Sequence, residues 1–166
     1  MDAIDSLAIR LGEALQAAGA QVTTAESCTG GGIAEAITRI AGSSAWFEAG
    51  FVTYSNRQKT LQLDVPAALF DQVGAVSEEV VIAMARGAQC RAKARFAVAV
   101  SGIAGPGGAV PGKPVGTVWL AWLDGEKLRT ERQVFAGDRA AVRHQTQVRA
   151  LQGVLAFLDE EKAAQV

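Results

Sequence analysis

An excess of charge of either sign is missing from this chain: 16 Lys and Arg stand against 17 Asp and Glu, for a formal net charge of -1. That balance excludes both an acidic disordered chain and a basic nucleic-acid binder. No Lys/Arg run points to DNA, RNA or an anionic membrane surface. Cysteine is reduced to Cys28 and Cys90, too few for a disulfide framework or a complete zinc site, and both fit a reducing, cytoplasmic setting. Histidine occurs once, at His144, and no His/Cys/Asp/Glu cluster has metal-ligand spacing. No apolar run reaches the ~20 residues a membrane span needs. The opening stretch MDAIDSLAIRLGEAL carries acids and an amphipathic pattern, which argues against a secretory signal.

What is present is a chain of 166 residues with 49% hydrophobic content. That suits one domain with a real core, since domains run to roughly 100–150 residues. Residues 1–166 read as that single domain, without repeat, low-complexity tract or linker. The 18 glycines cluster, as they do in loops where backbone approaches a ligand.

Ile4, Leu7, Leu11 and Leu15 predict an amphipathic helix that Gly19 ends. Gln21–Thr24 reads as a strand and AESCTGGG as the turn after it. Ile33, Ala36, Ile37 and Ile40 predict a second helix, broken at Gly42. Gly50–Ser55 predicts the next strand, and Asn56 sits near the start of a short helix reaching to about Leu63. Val65-Pro66 opens a further short turn or helix. Ser77, Glu78 and Glu79 mark a helix start, because acids suit the positive end of the helix dipole; that helix should run to about Ala94. FAVAVSG is almost continuously apolar, as in a strand buried on both faces. A glycine-rich loop, Gly102 to Gly112, follows it. TVWLAWL and LRTERQVF flank Asp124-Gly125, a hairpin signal. Asp138 can cap a last helix to about Lys162. This order predicts a three-layer α/β/α sandwich around a mixed, mostly parallel sheet.

Ligands of open α/β sheets bind outside the carboxyl ends of strands, which singles out Thr24-Ala25-Glu26-Ser27-Cys28-Thr29-Gly30-Gly31-Gly32. A helix amino terminus there offers N–H groups and positive potential. Ser27 is placed as a nucleophile, with backbone N–H groups around Thr29–Gly31 for an oxyanion. The alternative is that Ser27 or Thr29 merely caps the helix. The segment lacks the Gly-Lys-Ser/Thr of a Walker loop and the Gly-x-Ser-x-Gly of a hydrolase elbow. A serine nucleophile needs a base. His144 is one option, and Lys59 of YSNRQK another if burial or a nearby cation lowers its pKa. Lys59 can equally be a solvated helix lysine. Cys28 is a rival nucleophile or a buried structural thiol. The second loop, Ser101-Gly102-Ile103-Ala104-Gly105-Pro106-Gly107-Gly108, is a ligand loop or a flexible surface loop. Arg139 and Arg143, one helical turn apart, can hold a phosphate or face solvent. Trp46-Phe47 beside Gly42-Ser43-Ser44 can line a pocket or simply pack.

TAESCTGG, GSSAWFEAGFVTYSNRQK, GAVSEEV, AVSGIAGPGG, KPVGTVW and FAGDR occur in an order that closely resembles the CinA carboxy-terminal-domain family, over about residues 5–158. Standalone members of that family are nicotinamide-nucleotide amidases. The resemblance implies hydrolysis of the carboxamide of nicotinamide mononucleotide to nicotinate mononucleotide and ammonia, in pyridine nucleotide salvage. It implies a serine–lysine mechanism with Ser27 as nucleophile and Lys59 as base. Ser44, Tyr54 and Ser101 fall on other pocket positions, and Arg139 of GDR on a basic position suited to the phosphate. With Thr29, Gly30, Gly31 and Gly102 they form the expected substrate site. No metal or organic cofactor is implied, the expected partner is the nucleotide, and a homo-oligomer, a dimer first, is expected. Two rivals remain: a non-catalytic nucleotide-binding or regulatory module, and a serine hydrolase of another small amide.

Overall fold

A computed structural model describes residues 2–165. Its elements are α1 (Ala3–Ala18), β1 (Val22–Glu26), α2 (Gly32–Thr38), a 3-10 turn (Ser43–Ala45), β2 (Phe47–Val52), α3 (Asn56–Leu63), α4 (Ala68–Gln72), α5 (Glu78–Ala92), β3 (Phe96–Gly102), β4 (Thr117–Asp124), β5 (Lys127–Val134) and α6 (Arg139–Ala164). Local chemistry sets many of their ends. Gly19 closes α1 at φ 62, a conformation that costs glycine nothing. Ser77 caps α5 by accepting from Val80 N, and Asp138 caps α6 by accepting from Ala141 N. Ser55, one residue ahead of the expected Asn56, caps α3 by accepting from Gln58 N.

The sheet has five strands in the order β2-β1-β3-β4-β5. β1 pairs in parallel with β2 and β3, while the β3–β4 and β4–β5 pairs are antiparallel. Only β4 therefore runs against the others, which is the expected mixed, mostly parallel sheet. Asp124 pairs with Lys127 across the hairpin, with Gly125 at φ 58 in the turn.

One face of the sheet presents Val22, Phe96, Val98, Val100, Leu120 and Trp122 to α1, α2 and α6. The other presents Ala25, Ala97, Ala99, Ala121 and Leu123 to the α3–α5 layer. The centre of the second face is alanine, flanked by Phe51, Trp119 and Leu128. A Cβ on Gly87 of α5 would meet Leu63 O at 2.0 Å, which shows how tightly α5 and the end of α3 approach. Trp46, read as pocket-lining or packing, is a packing residue: it is buried in the first core, where a Cβ on Gly12 would reach its ring at 2.6 Å.

Two strands, β1 and β2, differ from expectation in their bounds. β1 runs on through Ala25 and Glu26, residues expected in the turn. Glutamate is disfavoured in strands, but here its carboxylate is fully satisfied. β2 begins at Phe47, before the expected Gly50, and ends before Thr53. As an edge strand it alternates half-buried and exposed residues, which weakens the apolar signal.

Candidate active site

The topology gathers one set of loops. β1, β2, β3 and β5 all end at the same edge of the sheet, and α6 starts from that edge after β5. Ser27, Tyr54, Ser101, Gly102 and Arg139 are thereby brought together from distant parts of the chain. Ser44 is not. It is exposed in the turn ahead of β2, hence at the opposite edge, and β2 alone spans roughly 20 Å at ~3.3 Å per residue. Within this chain Ser44 is not brought to the edge that carries Ser27.

Ser27 extends the β1 ladder by one step, its N–H donating to Val100 O at 3.2 Å. Side chains alternate along a strand, so Ser27, two residues past Ala25, leaves the sheet on the α3–α5 face. Ser101 lies two past Ala99 and shares that face. Ser27 is 9% exposed and Ser101 1%, so the hydroxyls sit at the floor of the edge. Lys59, on α3, reaches the same region from above. It is only 1% exposed, and its Nζ donates to Tyr54 O at 3.0 Å. Removal from water lowers its pKa from 10.5 to about 8, because burial disfavours the charged amine. Burial is thus the cause, and Trp46 has no part in it, since Trp46 packs on the opposite face of the sheet.

The amino terminus of α2 is already occupied. Glu26, fully buried, accepts from Ile33 N at 2.8 Å and Ala34 N at 3.0 Å, and from Thr29 Oγ1 at 2.5 Å. The helix cap itself is Gly31, at φ 102 with no side-chain bond. Ser27 and Thr29 are therefore not caps, and no phosphate can use those N–H groups. The loop N–H groups of Gly30 and Gly32 are also engaged, donating to Ser27 O and Thr29 O. That takes Gly30 N–H out of the expected oxyanion set and leaves those of Thr29 and Gly31. Glu26→Ala would strand two helix N–H groups and a hydroxyl in the interior. Its expected cost is about 3 kcal/mol of stability, read by urea unfolding, and a loss below about 0.5 kcal/mol would refute this role.

Cys28 is no nucleophile: burial, aided by the charge of Glu26, pushes its thiol up to about 12. Arg143 donates from Nε to Cys28 O at 3.2 Å and from Nη2 to Thr29 O at 3.3 Å. It holds the turn that carries Ser27. Arg139 donates to Gly105 O and to Tyr54 Oη, both at 2.9 Å, bridging the second loop to the end of β2. His144 is exposed on α6 and makes none of these contacts. A cavity of about 680 Å³ beside the turn is lined by Ala104, Pro106, Val115, Asp138, Arg139 and Arg143. Another of equal size, between α1 and α6, contains none of the candidate residues. Among the described residues no group of His, Cys, Asp and Glu could hold a metal ion, and no helix is long and apolar enough to cross a membrane.

Sequence reasoning missed the role of Glu26, read as part of a turn; an acid wedged between a strand pattern and a glycine run was the available sign.

Known proteins share much of this sequence and its fold. The chain is 70% identical over 155 residues to the nicotinamide-nucleotide amidohydrolase PncC of Pseudomonas putida, covering 93% of this chain and 97% of that one. It is 57% identical over 148 residues to the protein of that name from Escherichia coli K12, covering 88% and 89%. Among solved structures, a competence-damaged protein (CinA) superfamily protein from Klebsiella pneumoniae superposes with a TM-score of 0.92 at 39% identity, covering 96% of this chain and 99% of that one. The competence/damage inducible protein CihA of Agrobacterium tumefaciens gives 0.92 at 43% identity, covering 96% and 97%. Residues 4–158 match the CinA C-terminal domain, and with relatives this similar along nearly its whole length the chain belongs to the CinA C-terminal domain family.

Proposed function

We propose that this chain hydrolyses the carboxamide of nicotinamide mononucleotide to nicotinate mononucleotide and ammonia, a step of pyridine nucleotide salvage. The observation that carries the mechanism is a lysine buried to 1% exposure beside the strand end that bears Ser27, with its pKa lowered to about 8. The relatives named for amidohydrolase activity on a nicotinamide nucleotide support the substrate.

Ser27 Oγ attacks the amide carbon while neutral Lys59 takes its proton. The tetrahedral oxyanion is held by the N–H groups of Thr29 and Gly31. Lys59 returns the proton to the departing nitrogen, which leaves as ammonia. Water then attacks the acyl-enzyme, giving its proton to Lys59, and the carboxylate product departs as Ser27 is reprotonated. The pyridinium charge makes the carboxamide carbon more electrophilic and favours neutral Lys59 by like-charge repulsion.

Arg139 is the phosphate ligand in this reading. Two of the five N–H donors of its guanidinium are used by Gly105 O and Tyr54 Oη, which leaves three for an anion. Arg143, bound to the nucleophile turn, is the structural member of the pair. Tyr54, Ser101 and Gly102 complete the substrate wall. The protein works in the cytoplasm, as a homo-oligomer, a dimer first, without metal or organic cofactor. The direct test is ammonia release from nicotinamide mononucleotide against free nicotinamide; equal rates on both would remove the nucleotide from the reading. Arg139→Ala should weaken nucleotide binding by about 1.5–3 kcal/mol, the worth of a hydrogen bond to a charged group. Calorimetry showing unchanged affinity would place the phosphate elsewhere.

A further inference from the structure

Three buried side-chain polar atoms among the described residues have no hydrogen-bond partner: Thr24 Oγ1, Trp46 Nε1 and Thr53 Oγ1. Such groups are rare in native proteins because each forfeits its bonds to water. Thr24 faces Gly50, where a Cβ would lie 2.9 Å from its hydroxyl, and Trp46 is deep in the first core. Thr53 is different, because it lies at the reaction edge.

Its place follows from the register. Glu26 pairs with Val52, and Thr53 N donates to Glu26 O at 2.9 Å, so the ladder continues and Thr53 stands beside Ser27. Phe51 packs into the α3–α5 core, so Thr53, two residues on, points to that same face. Thr53, Ser27 and Ser101 thus form a row of hydroxyls across three adjacent parallel strands, spaced by about 4.8 Å. Thr53 is fully buried. It precedes Tyr54, whose carbonyl holds Lys59 Nζ, so it is the member of the row on the Lys59 side. The leaving nitrogen must also lie on that side, since Lys59 delivers its proton.

We propose that Thr53 recognises the amino group of the substrate carboxamide, its Oγ1 accepting an N–H of the amide as Ser27 attacks the carbon. This rests on the amidase reading above. A carboxylate has no N–H to offer, so the same contact favours the primary amide over the acid product and helps the product leave. Thr53 makes no covalent bond and moves no proton.

The test is Thr53→Val, which keeps the shape and removes the hydroxyl, with Thr53→Ser as the variant that restores it. Wild-type ammonia release from nicotinamide mononucleotide is measured first; a wild type inert on it removes the amidase reading and this proposal together. With an active wild type, Thr53→Val should lose roughly tenfold in kcat/KM, the worth of one hydrogen bond. Thr53→Ser should recover most of that. Inhibition by nicotinate mononucleotide should stay as strong or grow stronger in Thr53→Val, and the pH profile should keep its position. Thermal stability should be unchanged or raised, because the variant removes an unpartnered polar group. Unchanged kcat/KM overturns the proposal. So does a lowered Tm, which would reveal a structural partner, or a displaced acid limb, which would make Thr53 a positioning residue for Lys59.

Discussion

Ser27→Ala is expected to lower ammonia release by at least about 10⁴-fold, the scale on which loss of a nucleophilic serine is felt, while nucleotide affinity stays within about twofold. The usual objection to such a result is that a serine at a strand–helix turn may hold the turn together. That objection does not apply here. The first N–H groups of α2 donate to the Glu26 carboxylate, and the cap is Gly31. Ser27 enters the fold through its backbone, by the bond from its N–H to Val100 O, which alanine keeps. Unfolding free energy should therefore change by less than about 0.5 kcal/mol. Turnover near the wild-type level in a protein free of contaminating amidase would end the serine mechanism, and the buried Cys28 thiol offers no substitute.

Lys59 carries the second large effect, and it acts on activity and stability in opposite directions. With a pKa of about 8, about a tenth of the molecules hold neutral Lys59 at pH 7, against about four in ten thousand for an unperturbed lysine. kcat/KM should rise with pH through about 8 and then level off. Lys59→Arg should be inactive, because a guanidinium does not give up its proton; robust turnover by that variant would sink the base assignment. Lys59→Met should be inactive too, yet more stable. Between about 8 and 10.5 the unfolded chain binds a proton that the folded chain lacks, so wild-type stability rises with pH across that window. Below it, the buried amine costs the fold its full amount, about 3 kcal/mol. Lys59→Met removes that cost. Its advantage in urea unfolding should be largest at pH 7 and fade as pH rises beyond the window. An equal or smaller stability at pH 7 would mean the lysine is not held against its preference for water.

These effects coexist because the site sits where the fold is least consistent with local preference. A lysine with 1% exposure and three hydroxyl residues at or below 9% are poor choices for a core. They are tolerated beside a sheet whose packing is otherwise tight, and they are the groups the proposed chemistry uses.

The sequence by itself determined the layer order, the buried β3, the β4–β5 hairpin and the capped ends of α1, α5 and α6. Those features depend on near neighbours: apolar spacing, a cap three residues away, a glycine where φ must be positive. It also singled out Ser27, Lys59, Tyr54, Ser101 and Arg139, because their motifs are local strings that resemble a known family. Only the tertiary structure decided which of these share an edge. Strand order and direction set that Ser44 lies across the sheet and that Arg139, starting the last helix, reaches Tyr54. It also decided where Glu26, Arg143 and Thr53 stand. Each makes or lacks its decisive contact with a group from another element, and such contacts exist only once parallel strands are in register. Burial acts in the same way on the lysine. Nothing in YSNRQK distinguishes a solvated amine from a buried one; the helix that lays Lys59 against the sheet, out of reach of water, does.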